Sequence, residues 1–487
     1  MSVDMSTSRS EGPLYRKAGS APSGLFRKSP LYGPRIRQSN KTSRPGASKA
    51  LRLLSGFIFL HLCAEAQQIT EVAPGWAATS VNAVIFRKNS LATGRRHQYI
   101  AFYDPEGRVV LGMRKQGALS WELQPTPYRG NVLDAHNSIS IMPDGRGYLH
   151  MAWDHHNNRL HYAVSTVPGS LHMGPMAPMT GSLEDTLVTY PEFYRLPGGD
   201  LLFAYRYGSS GSGNVVLNRY DVRMRSWKRL HDNLIDGEGR RNAYWQMAVD
   251  RKGWLHLSWV WRDSPDVATN HRLCYARSAD GGKNWTRSDG SPLVVPITYA
   301  TAEVVADIPQ NSNLINQTSM TADAAGRPAI ASYWTAAGDT VPQFFVAWHD
   351  GNIWQLSQAS DRTTPFSLAG GGTRRIPVSR PQILAAGSGI KTRLYLIWRD
   401  AEAGNRIVLA RAQGGAAMSW TRRVVEGPDL GQWEPAYDTE LWRKKRTLSL
   451  FVQRVGQGEG GERPEELGPQ PVKVYQWSAG EFENMFE

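Results

Sequence analysis

Ile141-Met-Pro-Asp-Gly-Arg-Gly-Tyr-Leu-His-Met-Ala-Trp153 predicts two β-strands joined by a tight turn. Apolar residues flank the Asp-Gly-Arg-Gly segment, and Asp and Gly are the residues that tight turns between strands favour. Similar units recur downstream, so this short pattern indicates a repeated β architecture. The other units are Ala248-Val-Asp-Arg-Lys-Gly-Trp-Leu-His-Leu-Ser-Trp259, Thr321-Ala-Asp-Ala-Ala-Gly-Arg-Pro-Ala-Ile-Ala-Ser-Tyr333 and two weaker copies at residues 196–205 and 385–398.

The spacing of these units predicts an all-β fold, a seven-bladed β-propeller. They start roughly 50–75 residues apart, the length of a four-stranded blade with insertions, and about 420 residues at about 60 each give about seven blades. Ser278-Ala-Asp-Gly-Gly-Lys-Asn-Trp285 matches the Asp box, a structural turn of sialidase-type propellers. A sandwich of two sheets is the competing architecture, although it would not usually need so many repeats.

The N-terminal region has a different composition from the rest of the chain. Residues 1–48 are rich in Ser, Pro, Arg and Gly and are expected to be a disordered extension. Residues 49–66 have the pattern of a signal peptide: a basic start, an apolar run that is too short for a membrane span, and Ala64-Glu-Ala66. We therefore expect a secreted protein, periplasmic or extracellular, whose mature residues 67–487 form one propeller.

The net charge of +13 is concentrated in that leader. Residues 1–66 contain 11 basic and 3 acidic residues, whereas the remainder contains 45 basic and 40 acidic ones. Nucleic acid is therefore not expected as a partner. A membrane partner is not expected either, because the apolar run is too short to span a membrane, and we expect a monomer. The mild positive excess of the mature part is compatible with an anionic substrate.

Polar motifs around the first units suggest a site. His136 and His156 lie twenty residues apart on either side of the unit at 141–153, in Asp134-Ala-His-Asn-Ser138 and Trp153-Asp-His-His-Asn-Asn158. Histidine is the side chain best suited to proton transfer near neutral pH. Three other segments join them: Thr189-Tyr-Pro-Glu-Phe193, Tyr205-Arg-Tyr-Gly208 and Asn270-His-Arg-Leu-Cys-Tyr-Ala-Arg-Ser278.

Taken together, these motifs resemble those of the BNR-repeat-containing propellers, a family that includes ulvan lyases and related uronate-polysaccharide lyases. The resemblance extends from about residue 75 to about residue 455. It implies a secreted lyase that cleaves a uronate-containing anionic polysaccharide, ulvan-like, by β-elimination. That reaction needs a base, an acid for the leaving oxygen and a cation that neutralises the carboxylate.

The resemblance also implies a role for each candidate residue. His136 and Tyr190 correspond to the proton-transfer positions, with their roles as base and acid unassigned, and Arg206 corresponds to the residue that neutralises the uronate. The expected substrate-binding residues are His156, Tyr244, Asn137 and Arg262.

A structural zinc ion is a further expectation. Removal of the leader would leave Cys274 as the only cysteine, so no disulfide within the chain could form. His256, His271 and Cys274 flank one predicted hairpin, and two imidazoles with a thiolate suit zinc. His349 is the candidate fourth ligand, and zinc is also implied by the family resemblance.

Two alternative functions remain open at this stage. A sialidase-like glycoside hydrolase would use Tyr190 with Glu192 and three arginines, although Arg375-Ile-Pro377 lies late in the chain for that family. A non-catalytic carbohydrate-binding propeller would instead stack sugars on Trp153, Trp245 and Trp261.

Overall fold

The computed structural model describes residues 67–84, 89–180, 186–415 and 418–487. The expected disordered extension at 1–48 and signal peptide at 49–66 lie outside these described residues. Within them, none of the helices has the length and apolar character that crossing a membrane would require.

The described residues form seven antiparallel sheets arranged as the blades of a β-propeller, which confirms the predicted fold. Two short α-helices, α1 (Thr439–Lys445) and α2 (Ala479–Asn484), and four short 3-10 turns accompany the sheets. The strands, in chain order, are β1 (Gln68–Gly75), β2 (Leu91–Thr93), β3 (His97–Tyr103), β4 (Arg108–Lys115), β5 (Glu122–Arg129), β6 (Ile139–Pro143), β7 (Leu149–Trp153), β8 (His156–Asn158), β9 (Tyr162–Val164), β10 (Val188–Arg195), β11 (Leu201–Tyr207), β12 (Asn214–Asp221), β13 (Ser226–Ile235), β14 (Asn242–Val249), β15 (Leu255–Arg262), β16 (Asn270–Ser278), β17 (Trp285–Thr286), β18 (Pro292–Leu293), β19 (Glu303–Ala306), β20 (Ser319–Ala322), β21 (Pro328–Trp334), β22 (Gln343–His349), β23 (Trp354–Gln358), β24 (Gln382–Ala386), β25 (Arg393–Asp400), β26 (Arg406–Gln413), β27 (Trp420–Val424), β28 (Ala436–Tyr437), β29 (Leu448–Val452) and β30 (Gln470–Trp477).

The blades follow one another along the chain, and the last blade closes the ring. Blade one consists of β2–β5, blade two of β6, β7 and β9, and blade three of β8 and β10–β13. Blade four consists of β14–β19, blade five of β20–β23, and blade six of β24–β27. In blade seven, β1 from the start of the described chain pairs with β30, next to β29 and β28. The pairing therefore joins the two ends of the propeller, and only the outer strand of blade seven comes from the N-terminal side.

The repeated Asp turn explains the hairpin between the first two strands of each unit. Oδ1 of Asp144 accepts hydrogen bonds from the backbone N–H groups of Arg146, Gly147 and Tyr148, and Gly147 has a φ of 95°. Only glycine adopts such a conformation at little cost. Asp250 and Asp323 accept equivalent backbone bonds in blades four and five.

The Asp box has the structural role expected for it. Oδ1 of Asp280 accepts bonds from the Ser278 hydroxyl and from the N–H groups of Lys283 and Asn284. Trp285 is buried in the core and donates to the carbonyl of Gly282. Side chains packed between the blades form the rest of the core.

The innermost strands define the two ends of the propeller axis. β6, β10, β14 and β20 contact their neighbours in succession around the centre. The residues at or before their N-terminal ends line one cavity, and the residues at their C-terminal ends line another. We call the first, which contains the candidate catalytic residues, the catalytic cavity and the second the distal cavity.

Candidate active site

The catalytic cavity brings together six of the seven residues that were expected to act on or bind the substrate. It has a volume of about 230 Å³. The exception is Asn137, which is buried among backbone groups: its Nδ2 donates to the carbonyl of Asn131, and its own carbonyl accepts from the Tyr103 hydroxyl. Asn137 does not line this cavity. The six that do are His136, His156, Tyr190, Arg206, Tyr244 and Arg262.

A single carboxylate holds the two histidines. Oδ1 of Asp134 lies 2.8 Å from Nδ1 of His136, and Oδ2 lies 2.6 Å from Nδ1 of His156. The two imidazole rings stack with centroids 4.0 Å apart. Oε1 of Glu462, from the loop before β30, is a second acidic neighbour 3.4 Å from Nδ1 of His136. Both histidines are thus oriented through their Nδ1 atoms.

These carboxylates set the protonation of His136. Burial by itself disfavours the charged imidazole, but the hydrogen bonds and charges of Asp134 and Glu462 outweigh it and raise the pKa of His136 to about 9. Burial likewise works against the Asp134 carboxylate, yet the two histidines hold its pKa well below the usual range. At neutral pH the site therefore contains a protonated His136 beside an ionised Asp134.

Tyr190 occupies a bulge in β10. The register between β10 and β11 shifts between Thr189 and Glu192, and Tyr190 has a φ of 58°. A tyrosine in the left-handed region is strained, and such strain concentrates at functional sites. Because a bulge redirects a side chain relative to the regular strand, it accounts for the position of this ring in the cavity wall, with its centroid 5.8 Å from that of His136.

Arg206 on β11 is positioned by its neighbours. Its Nε donates to the carbonyl of Gly208 and its Nη2 to the hydroxyl of Thr189, while the guanidinium lies 5.1 Å from the centre of the Tyr190 ring. Among the described residues, nothing accepts a hydrogen bond from its Nη1. Gly213 packs against the stem of this side chain, since a Cβ at that position would lie 2.7 Å from Cγ of Arg206. The guanidinium is thus buried, held and directed at the cavity.

The next blade repeats this pair. The guanidinium of Arg262 lies 5.3 Å from the centre of the Tyr244 ring. Its Nε donates to the backbone carbonyl of Ser264, two residues later in the chain, as Nε of Arg206 does to Gly208. Its Nη1 also donates to the Tyr244 hydroxyl. The two tyrosine rings have centroids 5.9 Å apart. The cavity therefore has two adjacent Tyr–Arg pairs from equivalent positions of neighbouring blades.

The two tyrosines differ in acidity. Burial is the largest influence on Tyr190 and raises its pKa. Burial acts on Tyr244 as well, but the positive charges of Arg262 and Arg206 outweigh it and lower the pKa of Tyr244 to about 8. Of the two phenols, Tyr244 therefore ionises at the lower pH.

The sequence patterns did not identify several contributors to the site. Asp134 belongs to the motif Asp134-Ala-His-Asn-Ser138, and its position two residues before His136 could have indicated a carboxylate that binds this histidine. Glu462 was not recognisable, because it lies 327 positions after Ala135 in the sequence. Its Oε2 accepts a hydrogen bond from the backbone N–H of Ala135. Arg380 and Glu434, an ion pair at 2.9 Å, line the far wall and were also missed.

The structure argues against the aromatic platform of a carbohydrate-binding propeller. Trp153, Trp245 and Trp261 are at most 2% exposed, so their faces cannot stack on a sugar. It also places Glu192, the expected partner of Tyr190 in a hydrolase, away from the cavity lining. The carboxylate of Glu192 accepts hydrogen bonds from Tyr194 and Gln246 instead.

The expected zinc ligands are not brought together. In the β15–β16 pairing, Cys274 lies opposite Trp259, whereas His256 lies opposite Arg277. Because neighbouring residues of a strand point to opposite faces, His256 and Cys274 are on different sides of the sheet. Among the described residues, the one group of three or more His, Cys, Asp and Glu side chains whose donor atoms lie within 4.8 Å of one another is Asp134, His136 and His156. The predicted ligand set therefore does not fit zinc.

Each of these side chains has a different environment. His271 lies 3.0 Å from Asp263, His349 accepts from the N–H of Gly351, and Cys274 is fully buried, which raises the pKa of its thiol. Nδ1 and Nε2 of His256 face the Tyr275 hydroxyl and Asp250, at 2.8 and 3.4 Å.

His150 in blade two has the same surroundings as His256. Its Nδ1 and Nε2 face Tyr162 and Asp144, at 2.7 and 3.6 Å. The Asp–His–Tyr group thus occurs in two blades, where the histidine links the aspartate of the tight turn to a tyrosine on the neighbouring strand. This structural role accounts for the buried position of His256 without a metal ion.

The fold and the cavity define a repeat-built, seven-bladed propeller with an ionisable site at one end of its axis. This chain belongs to the BNR repeat-containing family, whose model matches residues 97–362.

Curated relatives resemble a shorter part of the chain. The short isoform of ulvan lyase from Alteromonas sp. (strain LOR) is 29% identical over 133 residues, which cover 24% of this chain and 25% of that protein. Ulvan lyase from Nonlabens ulvanivorans is 27% identical over 134 residues, 25% of this chain and 28% of that protein. The match thus spans about a quarter of the length of these relatives.

Solved structures match over most of the propeller. The crystal structure of polysaccharide lyase Uly1 covers 82% of this chain and 91% of its own, with a TM-score of 0.61 and 15% identity. A PL25 ulvan lyase bound to -[GlcA(1-4)Rha3S]- covers 85% of this chain and 96% of its own, with a TM-score of 0.60 and 13% identity. At these identities the likeness establishes the shared fold.

Proposed function

We propose that this protein is a secreted polysaccharide lyase that cleaves a uronate-containing anionic polysaccharide, ulvan-like, by β-elimination. The observation that carries the proposal is the convergence of His136, Tyr190 and Arg206, from three sequence motifs, on one cavity. Family membership and the ulvan lyases among the relatives support the choice of reaction. Export agrees with the leader-like sequence at residues 49–66.

In this mechanism Arg206 binds the uronate carboxylate. Arg206 lines the cavity, and a guanidinium is the preferred partner of a carboxylate because it can donate two parallel hydrogen bonds. Neutralising the carboxylate makes the C5 proton more acidic, since the negative charge that develops at C5 spreads onto the carboxylate oxygens. Arg262 adds a second positive charge to the same cavity.

His136 is the acid. Its pKa of about 9 keeps the imidazole protonated at neutral pH, and a protonated imidazole donates a proton rather than removing one. As the bond between C4 and the leaving oxygen breaks, His136 transfers its proton to that oxygen. The electrons of the C5–H bond form the C4–C5 double bond, and Asp134 stabilises the charge on His136 beforehand.

A tyrosine is then the base that accepts the C5 proton. We assign this role to the phenolate of Tyr190, which forms when the phenol loses its proton to solvent before the step; burial opposes this ionisation, whereas the charges of Arg206 and Arg262 favour it. The ring of Tyr190 is packed against both His136 and Arg206 and therefore lies next to the bound carboxylate. Tyr244 is the second candidate, since its lowered pKa makes it the easier phenol to ionise. With His156 and Arg262, Tyr244 otherwise serves to position the sugar.

The test is incubation of the chain starting at Gln67 with a panel of anionic polysaccharides, ulvan among them. A lyase produces ultraviolet absorbance from the new double bond, and we expect this signal with at least one uronate-containing glycan. Reducing ends without absorbance would indicate a hydrolase. Binding without either product would indicate a carbohydrate-binding propeller.

Replacing Tyr190 or Tyr244 by Phe identifies the base. Only the variant that lacks the base should lose turnover entirely. Circular dichroism of both variants controls for folding. Full activity of Tyr190→Phe would refute the assignment to Tyr190.

A further inference from the structure

The distal cavity, at the other end of the propeller axis, is surrounded by arginines. It has a volume of about 60 Å³ and lies among the C-terminal ends of β10, β14 and β20 and helix α1. Tyr190 and Arg195 lie five residues apart on β10, so the two cavities are separated by roughly 17 Å of strand. The four arginines that line it are Arg195, Arg251, Arg443 and Arg446.

Arg195 is the key residue of this cavity. Its side chain is 92% buried, since only 8% of the residue is exposed, and its Nη1 has no hydrogen-bond partner among the described residues. A buried guanidinium without an acceptor is costly, because burial removes its hydration and nothing replaces it. An unsatisfied cation that lines a cavity therefore indicates that a ligand completes the site.

The acidic residues of the cavity do not compensate for the arginines. Glu440 is bound by Arg443 at 2.6 Å and by Lys444 at 2.9 Å. Oδ1 of Asp250 accepts the N–H groups of Lys252 and Trp254, and its Oδ2 faces His256. Neither carboxylate forms an ion pair with Arg195.

Two more arginines add to the excess of positive charge. Arg251 donates to the carbonyl of Arg443, and Arg446 donates to the carbonyl of Ala385. Both of these acceptors are neutral. In the described part of the chain, Arg195, Arg251 and Arg446 therefore bring three positive charges to one cavity without a paired carboxylate.

We propose that the distal cavity binds a tetrahedral oxyanion, a sulfate or phosphate group, through Arg195. The volume corresponds to roughly four or five water molecules, which suits such a group but not a whole sugar ring. Sulfate and phosphate oxygens accept several hydrogen bonds at once, and guanidinium groups are their preferred donors. The group is either a free inorganic ion or a sulfate ester at the end of a glycan.

Thermal unfolding at constant ionic strength, with chloride replaced by sodium sulfate, tests this site. We expect the Tm of the wild type to rise with sulfate and to saturate, because a ligand that binds only the folded state stabilises it. Arg195→Met should lose this rise. Arg423→Met, at an exposed position on β27, is the matched control and should keep it.

A second expectation concerns the order of stability. In chloride alone, Arg195→Met should be at least as stable as the wild type, because the substitution removes an uncompensated buried charge. Sulfate should reverse that order. Arg206→Met should keep the sulfate effect, which separates the distal cavity from the catalytic one. Absence of a saturable rise in the wild type, or an undiminished rise in Arg195→Met, would overturn the proposal.

Wild-type crystals grown without sulfate or phosphate give a test that does not depend on the variant. After a soak in sodium selenate, the anomalous signal of selenium should lie within hydrogen-bond distance of Arg195, and its absence there would contradict the site. Glucose 6-sulfate in the thermal assay distinguishes the two sources. Stabilisation by inorganic sulfate alone supports a free ion, whereas stabilisation by both supports a sulfate ester.

Discussion

Asp134 shows how much of the site depends on one side chain. It binds Nδ1 of both His136 and His156 and also accepts the N–H of His136. The carboxylate therefore orients the two rings and, together with Glu462, favours the charged form of the proposed acid. Its position, two residues before His136, is visible in the sequence, but its contact with His156 is not.

Arg206→Lys should reduce kcat/KM by roughly 100-fold or more, the usual effect of removing one donor that stabilises a transition-state anion. Lysine keeps the charge but cannot reproduce the planar arrangement of donors that Gly208 and Thr189 hold in place. Steady-state absorbance assays measure the loss. Lys228→Arg, at an exposed position on β13, is a control for Lys/Arg exchange. Activity of Arg206→Lys close to wild type would exclude Arg206 as the carboxylate ligand.

Asp134→Asn should move the alkaline limb of the pH–rate profile to lower pH. The proposed acid His136 is active when protonated, so activity falls as pH rises through its pKa of about 9. Loss of the carboxylate shifts that pKa towards the ordinary value of 6.5, and the limb should follow by about one unit or more. Profiles of kcat/KM for the wild type and for Asp232→Asn, an exposed control, provide the comparison. A limb that does not move would mean that another group is the acid.

At the scale of elements, the repeated hairpin is both scaffold and site. A tight turn closes one end of the hairpins in blades three and four, and the opposite ends of the same strands provide Tyr190 and Arg206 in blade three and Tyr244 and Arg262 in blade four. His256 was predicted to bind zinc from one repeat unit alone, without comparison with the equivalent His150 of another unit. The spacing of six residues between Asp250 and His256 also separates Asp144 from His150, and this repetition was the available evidence for a structural role.

His150→Phe and His256→Phe should destabilise the protein by similar amounts, about 1–3 kcal/mol each, because both remove a buried imidazole that contacts a tyrosine hydroxyl and Oδ2 of an aspartate. Chemical denaturation measures the change. Metal analysis of both variants and of Cys274→Ser provides the control for zinc. One zinc ion per wild-type chain that is lost in Cys274→Ser would show that the ligands rearrange to bind metal.

At the scale of the whole molecule, ring closure depends on one strand. The seven register pairs between β1 and β30 join the start of the described chain to its end, and they cover an edge that would otherwise be exposed. The catalytic cavity depends on this closure, because Glu462, from the last blade, contacts His136 from the loop that leads into the second.

Deleting β1 should therefore lower the Tm strongly and reduce the proposed lyase activity. A chain that starts at Trp76 lacks the outer strand of blade seven, whereas one that starts at Gln67 retains it. Differential scanning calorimetry of the two chains measures the difference. Addition of residues 67–75 as a peptide should restore part of the loss, and equal Tm values without the peptide would show that the ring is stable when open.

The sequence by itself determined the class of fold and six of the residues that line the catalytic cavity. Strand alternation and Asp-Gly turns are patterns within short stretches of sequence. Their spacing of about 60 residues predicts the number of blades without any knowledge of tertiary contacts. Short motifs singled out His136, Tyr190 and Arg206 because each motif is one continuous stretch of a few residues.

Only the tertiary structure decided which side chains meet across blades. The contact of Glu462 with His136, the burial of Trp153 and Trp245, and the separation of His256 from Cys274 depend on strand register and ring closure. A shift of one residue in register reverses the face on which a side chain lies. Spacing along the chain therefore could not show whether His256 and Cys274, the expected zinc ligands, lie on the same face of the sheet. The unpaired guanidinium of Arg195 emerged in the same way, since a missing partner is visible only when all neighbours are in place.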